Sequence, residues 1–144
     1  MSEVAYLPDV NILIALSDPE HIAHDAAAAW HLAIRNARFL LCPVTEAGFV
    51  RLMSTPSIGG ESMSGAILLL REIAALPNVA HLPVAPSWLD IIKPLARRLH
   101  GHRQVTDALL LGLAIRNGAV LVTLDRSIQA LAGEAYAANL LTLA

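Results

Sequence analysis

Four acidic residues stand where carboxylates can do chemistry as well as structure. Asp9 follows an apolar run in AYLPD, Glu46 follows a second in LLCPVTE, Asp107 opens a long apolar helix in QVTDALLLGLAIR, and Asp125 ends a third run in VLVTLD. In a parallel sheet all strands point the same way, so residues just past their C-terminal ends collect along one edge, where such folds hold their ligands. The four acids are therefore able to meet. Taken singly, each also reads as a helix cap, because Asp and Glu in a first turn accept free N–H groups and complement the positive end of the helix dipole. Together they are costly. Two carboxylates about 4 Å apart repel by roughly 4 kcal/mol at an effective dielectric near 20, unless protons or a cation neutralise them. Hard oxygen ligands, with no cysteine and no histidine beside these motifs, suit Mg2+ or Mn2+ and not a zinc site of soft ligands. Such an ion polarises a phosphoryl oxygen and acidifies a bound water, so the matching reaction is phosphodiester hydrolysis.

The elements that must position these acids follow from the hydrophobic pattern. Short β-type runs at Val4–Leu7, Phe39–Cys42, Val79–Leu82, Ala119–Thr123 and Leu140–Leu143 alternate with helical patterns at His21–Asn36, Thr45–Met53, Ser62–Ala75, Ser87–Leu99 and Val105–Asn117. Short helical turns are expected after Asp9 and after Asp125. This alternation predicts a three-layer α/β domain with a mostly parallel central sheet flanked by helices. Asn117-Gly118 stops the longest helix, since glycine tolerates the left-handed conformation at a helix end. STPSIGGES, Ser54 to Ser62, has turn composition and reads as a mobile loop within one domain. Pro94, inside IIKPLARRL, must kink or split its helix.

The bulk numbers set the outer limits. With 144 residues, residues 1–144 make one domain. A 56% hydrophobic and 15% charged composition excludes disorder and suits strands buried on both faces. Mean hydropathy is +0.56, yet Arg71, Arg116 with Asn117, and Asp125 interrupt every apolar run short of a membrane span, so no membrane is expected. The N-terminal MSEVAYLPDV has no secretion-signal pattern, and one cysteine, Cys42, builds neither a disulfide nor a cysteine zinc site. A cytoplasmic location fits these features. A net charge of −2 excludes a non-specific nucleic-acid coat but leaves room for a local basic groove. Lys93, Arg97, Arg98, His100, His102 and Arg103 lie just ahead of Asp107 and read either as a solvated face or as a path for a nucleic-acid backbone, with Arg103 nearest the acid. His21 and His24 lack a third metal ligand and read as a polar face. Trp30 and Trp88 read as core or dimer contacts, and the apolar faces of the His21–Asn36 and Ser62–Ala75 helices favour self-association.

PDVNILIAL, TEAGFVRL, VTDALLLGLA and LVTLDRSI, in that order, together with HIAHDAAAAW, resemble the PIN-domain ribonucleases and specifically the VapC toxins of toxin–antitoxin pairs. The resemblance spans nearly the whole chain; only the GG-containing Ser54–Ser62 stretch lies outside it. It implies that Asp9, Glu46, Asp107 and Asp125 are the acidic catalytic residues, with Asp9 and Asp107 as principal metal ligands and Asn11 and Thr123 as polar neighbours. It further implies an Mg2+-dependent endoribonuclease cutting tRNA or other structured RNA, a homodimer, and a cognate antitoxin protein whose tail plugs the acidic pocket. Arg97, Arg98 and Arg103 are the matching candidates for RNA contact. Two other readings share these acids. An aspartyl-phosphate phosphotransferase or phosphatase needs a lysine poised by its nucleophile, and Lys93 is the one lysine present. A non-catalytic RNA- or partner-binding domain of the same fold needs none of the chemistry.

Overall fold

The computed structural model describes residues 4–143; residues 1–3 of the N-terminal stretch read for a secretion signal, and Ala144, lie outside the described residues. Five strands, β1 (Ala5–Pro8), β2 (Arg38–Leu41), β3 (Val79–His81), β4 (Val120–Thr123) and β5 (Leu140–Thr142), form one parallel sheet in the order β3-β2-β1-β4-β5. The order reverses beside β1, which is where a parallel sheet opens its ligand crevice. Each strand lies within a residue or two of its expected position.

Among the described residues seven α-helices cover both faces. α1 (Val10–Ser17), α2 (His24–Ile34), α3 (Pro43–Met53) and α4 (Met63–Ala74) lie on one, and α5 (Trp88–Ile92), α6 (Val105–Arg116) and α7 (Ile128–Ala132) on the other. Strand alternation splits the core accordingly. Leu7, Leu40 and Leu121 pack with Ile91, Leu95 and Leu111, whereas Phe39, Leu41 and Val122 pack with Ile12, Trp30 and Phe49. Each fully buried Leu, Ile or Phe contributes roughly 1.5–3 kcal/mol, so strands with two apolar faces are what hold three layers together. Trp30 belongs to this core, 8% exposed and edge-on to Tyr6 at 5.7 Å between ring centroids. Trp88 packs half-buried against the opposite core.

Two close approaches set the helix positions. A Cβ on Gly48 would meet Val10 Cγ2 at 2.6 Å, so α3 lies hard against α1 and brings the residues around Glu46 toward those around Asp9. A Cβ on Gly112 would strike the Ile91 carbonyl oxygen, which seats α6 on α5. At Pro94 the helix is split: α5 ends at Ile92 and a 3₁₀ segment runs over Lys93–Arg98. The Ser54–Ser62 stretch forms turns, as its composition suggested, and is tied to the helix before it. Gly59 N and Glu61 N donate to the carbonyls of Leu52 and Met53 at 3.3 and 2.9 Å, folding it back onto the end of α3. Gly59 permits this, since a Cβ there would meet Met53 Cα at 2.5 Å. Among the described residues no helix is long and apolar enough to cross a membrane.

Candidate active site

The site begins at the carboxyl ends of β1 and β4. Asp9 leaves β1 with its N–H bonded to the Val122 carbonyl at 2.9 Å and its side chain capping α1, Oδ1 accepting from Ile12 N at 3.0 Å. Its other oxygen, Oδ2, accepts from the Thr123 hydroxyl at 2.6 Å, across 114 positions of sequence. A hydrogen bond to a charged acceptor contributes on the order of 1.5–3 kcal/mol, enough to fix this carboxylate in one orientation. Thr123 is fully buried and also accepts from Asp125 N at 3.0 Å, so one hydroxyl ties the start of α1 to the turn after β4. Asp9 is 7% exposed, and burial pushes its pKa up. The Thr123 and Ile12 hydrogen bonds work against that rise, and the Asp125 charge adds to it.

Asp107 is placed differently. It occupies the third position of α6, while Gln104 holds the cap position without a side-chain cap bond, so Asp107 is not the cap its sequence position allowed. Burial raises its pKa to about 6, and the charges of Asp125 and Asp9 push in the same direction. Among the described residues no hydrogen bond and no cationic side chain lowers it. Asp125 is exposed and accepts from Ser127 N at 2.9 Å, shaping the turn that precedes α7. Three of the expected acids thus act on one another across the sheet edge. Glu46 stands half-buried in the first turn of α3, where Pro43 opens the helix and the Thr45 hydroxyl accepts from Cys42 N at 3.2 Å. It reaches the same edge but is not among the charges that raise Asp9 or Asp107. Asn11 is exposed beside Asp9 on the first turn of α1.

Among the described residues no three His, Cys, Asp or Glu side chains are drawn together closely enough to enclose a metal ion. The donor set nevertheless fits a hard divalent cation. It is all oxygen, one member is rigidly held, and the buried charge on Asp9 and Asp107 meets only like charge and no protein cation. The same absence bears on Lys93, exposed on the 3₁₀ segment and not among the groups acting on either acid. His21 and His24 are used structurally, His21 Nδ1 accepting from Ala23 N at 3.0 Å and His24 Nδ1 bonding the Ala15 carbonyl at 2.7 Å. Cys42 is buried in the core.

Beside the acids opens a cleft of about 570 Å3, lined by Val10, Val44, Ala47, Arg51, Val84 and Thr106. Val10, Ala47 and Thr106 directly adjoin Asp9, Glu46 and Asp107 in sequence, which places the cleft along the acid edge. The expected basic strip contributes none of this lining. Arg97 and Arg103 are exposed, and Arg98 is turned to a structural task, its guanidinium donating to the Ala132 carbonyl at 3.5 Å and lying against Gly133 at the end of α7. Arg51 is the residue that reading the sequence for basic clusters passes over. Its signal was there in TEAGFVRL, where Arg51 follows Ala47 by four residues and so shares its helix face.

A parallel five-stranded sheet with acids gathered at its switch point defines the class. Residues 6–134 match the PIN domain, and the chain belongs to that family. Within it, similar proteins are VapC ribonucleases of Mycobacterium tuberculosis. Ribonuclease VapC39 is 37% identical over 125 residues, covering 85% of this chain and 89% of that protein. Ribonuclease VapC38 is 38% identical over 128 residues, covering 88% and 89%. Among solved structures, VapBC2 from Rickettsia felis, crystallised with a DNA fragment from its promoter, contains a chain that superposes with a TM-score of 0.69. The match is 13% identical and covers 98% of this chain and 100% of the other. FitAcB from Neisseria gonorrhoeae matches with a TM-score of 0.63 at 19% identity, over 88% and 92%. At those identities the likeness is one of fold, and it agrees with the three-layer architecture expected from the sequence.

Proposed function

We propose that the chain is a divalent-metal-dependent endoribonuclease that hydrolyses phosphodiester bonds in structured RNA and serves as the toxin of a toxin–antitoxin pair. The observation that carries the metal-dependent part is Asp107, half-buried in the first turn of α6 with the carboxylates of Asp125 and Asp9 acting on it and, among the described residues, no cation compensating them. The activity is supported by curated relatives named ribonucleases at 34–38% identity over most of the chain. Asp9 and Asp107 are the residues to hold Mg2+ or Mn2+, with Asp125 and Glu46 completing the acidic edge. A bound divalent ion supplies charge neutralisation and an acidified water for attack on phosphorus. The chain's own part is orientation. Thr123 and Ile12 N hold the two oxygens of Asp9 in a fixed plane, so that this carboxylate is preorganised before any substrate arrives.

The partner reading rests on surface. Between α1, α2 and α4 runs an apolar groove of about 370 Å3, lined by Leu13, Leu16, Leu32, Phe39, Ile73 and Leu76, and Leu32 is 77% exposed beside it. Exposed hydrocarbon beside a concave apolar surface is the chemistry that a protein partner covers. A cognate antitoxin is the occupant that agrees with the VapBC assembly containing the similar fold.

The test is RNA cleavage by purified chain with Mg2+ or Mn2+, with excess chelator, and by Asp107→Asn, followed by mapping of new 5′ ends. Metal-dependent cuts absent from the variant are expected. Cuts that persist in chelator, or that the variant makes equally well, would end the proposal.

A further inference from the structure

We infer that the cleft beside the acids seats one nucleotide of the RNA and that Arg51 grips a phosphate flanking the bond to be cut, so that Arg51 is a positioning residue for cleavage. This rests on the nuclease reading and names how that site takes its substrate. A polyanion approaching an edge crowded with carboxylates is repelled until positive charge meets it, and among the described residues Arg51 is the charged side chain lining the cleft. The rest of the wall is mostly apolar, from Val10, Val44, Ala47 and Val84, with the Thr106 residue next to Asp107. Its volume, about 570 Å3, lies within the range of sites that enclose small ligands. No aromatic ring lines it, so a base would be held by shape and van der Waals contact rather than by stacking.

The spacing on α3 supports the placement. Ala47 and Arg51 are four residues apart and so share one helix face, which carries Arg51 along the cleft wall that begins beside Glu46. The end of α3 is fixed by its own turn, since the hydroxyls of Ser54 and Thr55 donate to the Arg51 carbonyl at 3.2 and 2.7 Å. The guanidinium has no protein acceptor among the described residues. Arg98, by contrast, lies against Gly133 with its guanidinium 3.5 Å from the Ala132 carbonyl. Gly48 keeps the cleft where it is, because a Cβ there would collide with Val10 and force α1 and α3 apart.

The experiment measures cleavage of a pool of 5′-labelled RNA hairpins with a randomised unpaired loop, in Mn2+, as a function of RNA and salt concentration. Arg51→Ala should raise the apparent KM about tenfold while kcat stays within twofold, and the logarithmic salt dependence of binding should become shallower by about 0.7. Arg51→Lys should recover much of the KM, since a lysine still offers a point charge to phosphate. Ala47→Leu, which fills the apolar wall, should raise KM without changing the salt slope. Mn2+ affinity should be the same in all three variants. Wild-type KM and salt slope in Arg51→Ala, or a fall in kcat at unchanged KM, would overturn the assignment while leaving the nuclease reading intact. Failure of the wild-type chain to cut the pool in any divalent metal would instead remove the nuclease reading, and this inference with it.

Discussion

At the acid edge the chain buries charge that it does not neutralise, whereas in the groove between α1, α2 and α4 it exposes hydrocarbon that it does not cover. Asp107 at the edge has its pKa pushed up to about 6 by burial and by two neighbouring carboxylates. Leu32 at the groove is 77% exposed on a helix whose other side buries Trp30. The first arrangement stores its unfavourable energy in electrostatics, which a small cation, on the proposed reading, would relieve. The second is relieved by a complementary apolar surface. The contrast teaches that each place is unfinished in a way that names the chemistry of what completes it, and that the two should respond independently to substitution.

The largest effect should come from Asp9→Asn, which keeps the shape and an oxygen to cap Ile12 N but removes the fixed charge. RNA cleavage is expected to fall by at least about a hundredfold, the scale on which a preorganised electrostatic group acts, while the thermal midpoint of the metal-free protein does not fall. Next in size is the response to metal. At a Mn2+ concentration a hundredfold above Kd, linkage adds about 2.7 kcal/mol, which for a chain of this length raises the melting temperature by roughly 5–10 °C. Asp107→Asn, with affinity at least about tenfold weaker, should remove about half of that rise or more, and Leu32→Asp none of it.

A smaller effect is expected from pH in metal-free protein. The folded-state pKa of Asp107 lies above its ordinary value, so between about pH 4 and 6 the folded chain holds a proton that the unfolded chain has released. Its contribution to stability is therefore present at low pH and is lost as pH rises through about 6. After allowance for solvent screening of a half-buried group, the loss is on the order of 1 kcal/mol. Denaturant midpoints measured from pH 4.5 to 7.5 should show the decline in wild type and a flatter curve in Asp107→Asn. The smallest effect belongs to the groove. Leu32→Asp should change stability by no more than about 0.5 kcal/mol and leave cleavage unchanged, because the residue supports neither core nor acids.

How far the sequence could be read differs between these regions for physical reasons. Alternating apolar runs fixed the strands to within a residue or two, because strands buried on both faces leave few alternatives. Asp9 and Asp125 were legible as strand-end residues, and the parallel sheet then brought them together. What stayed hidden depends on partners distant in the chain. Arg98 looks like its neighbours Arg97 and Arg103, and only the folding of α7 against the 3₁₀ segment reveals that it holds the Ala132 carbonyl. The Ser54–Ser62 stretch has loop composition, but its Gly59 is a contact against Met53, which no local pattern announces. Pro94 signals a break without saying whether the helix bends or ends. Glu46 was placed at the right edge, yet side-chain approach to Asp9 and Asp107 is decided by how α3 tilts, which spacing does not encode.

Calorimetric titration of Mn2+ into metal-free protein at neutral pH asks most directly whether a divalent ion is what makes the crowded carboxylates tolerable. Saturable binding by wild type, weakened at least about tenfold in Asp107→Asn and lost in Asp9→Asn, is the predicted result. No binding by wild type, or equal binding by all three proteins, would contradict it.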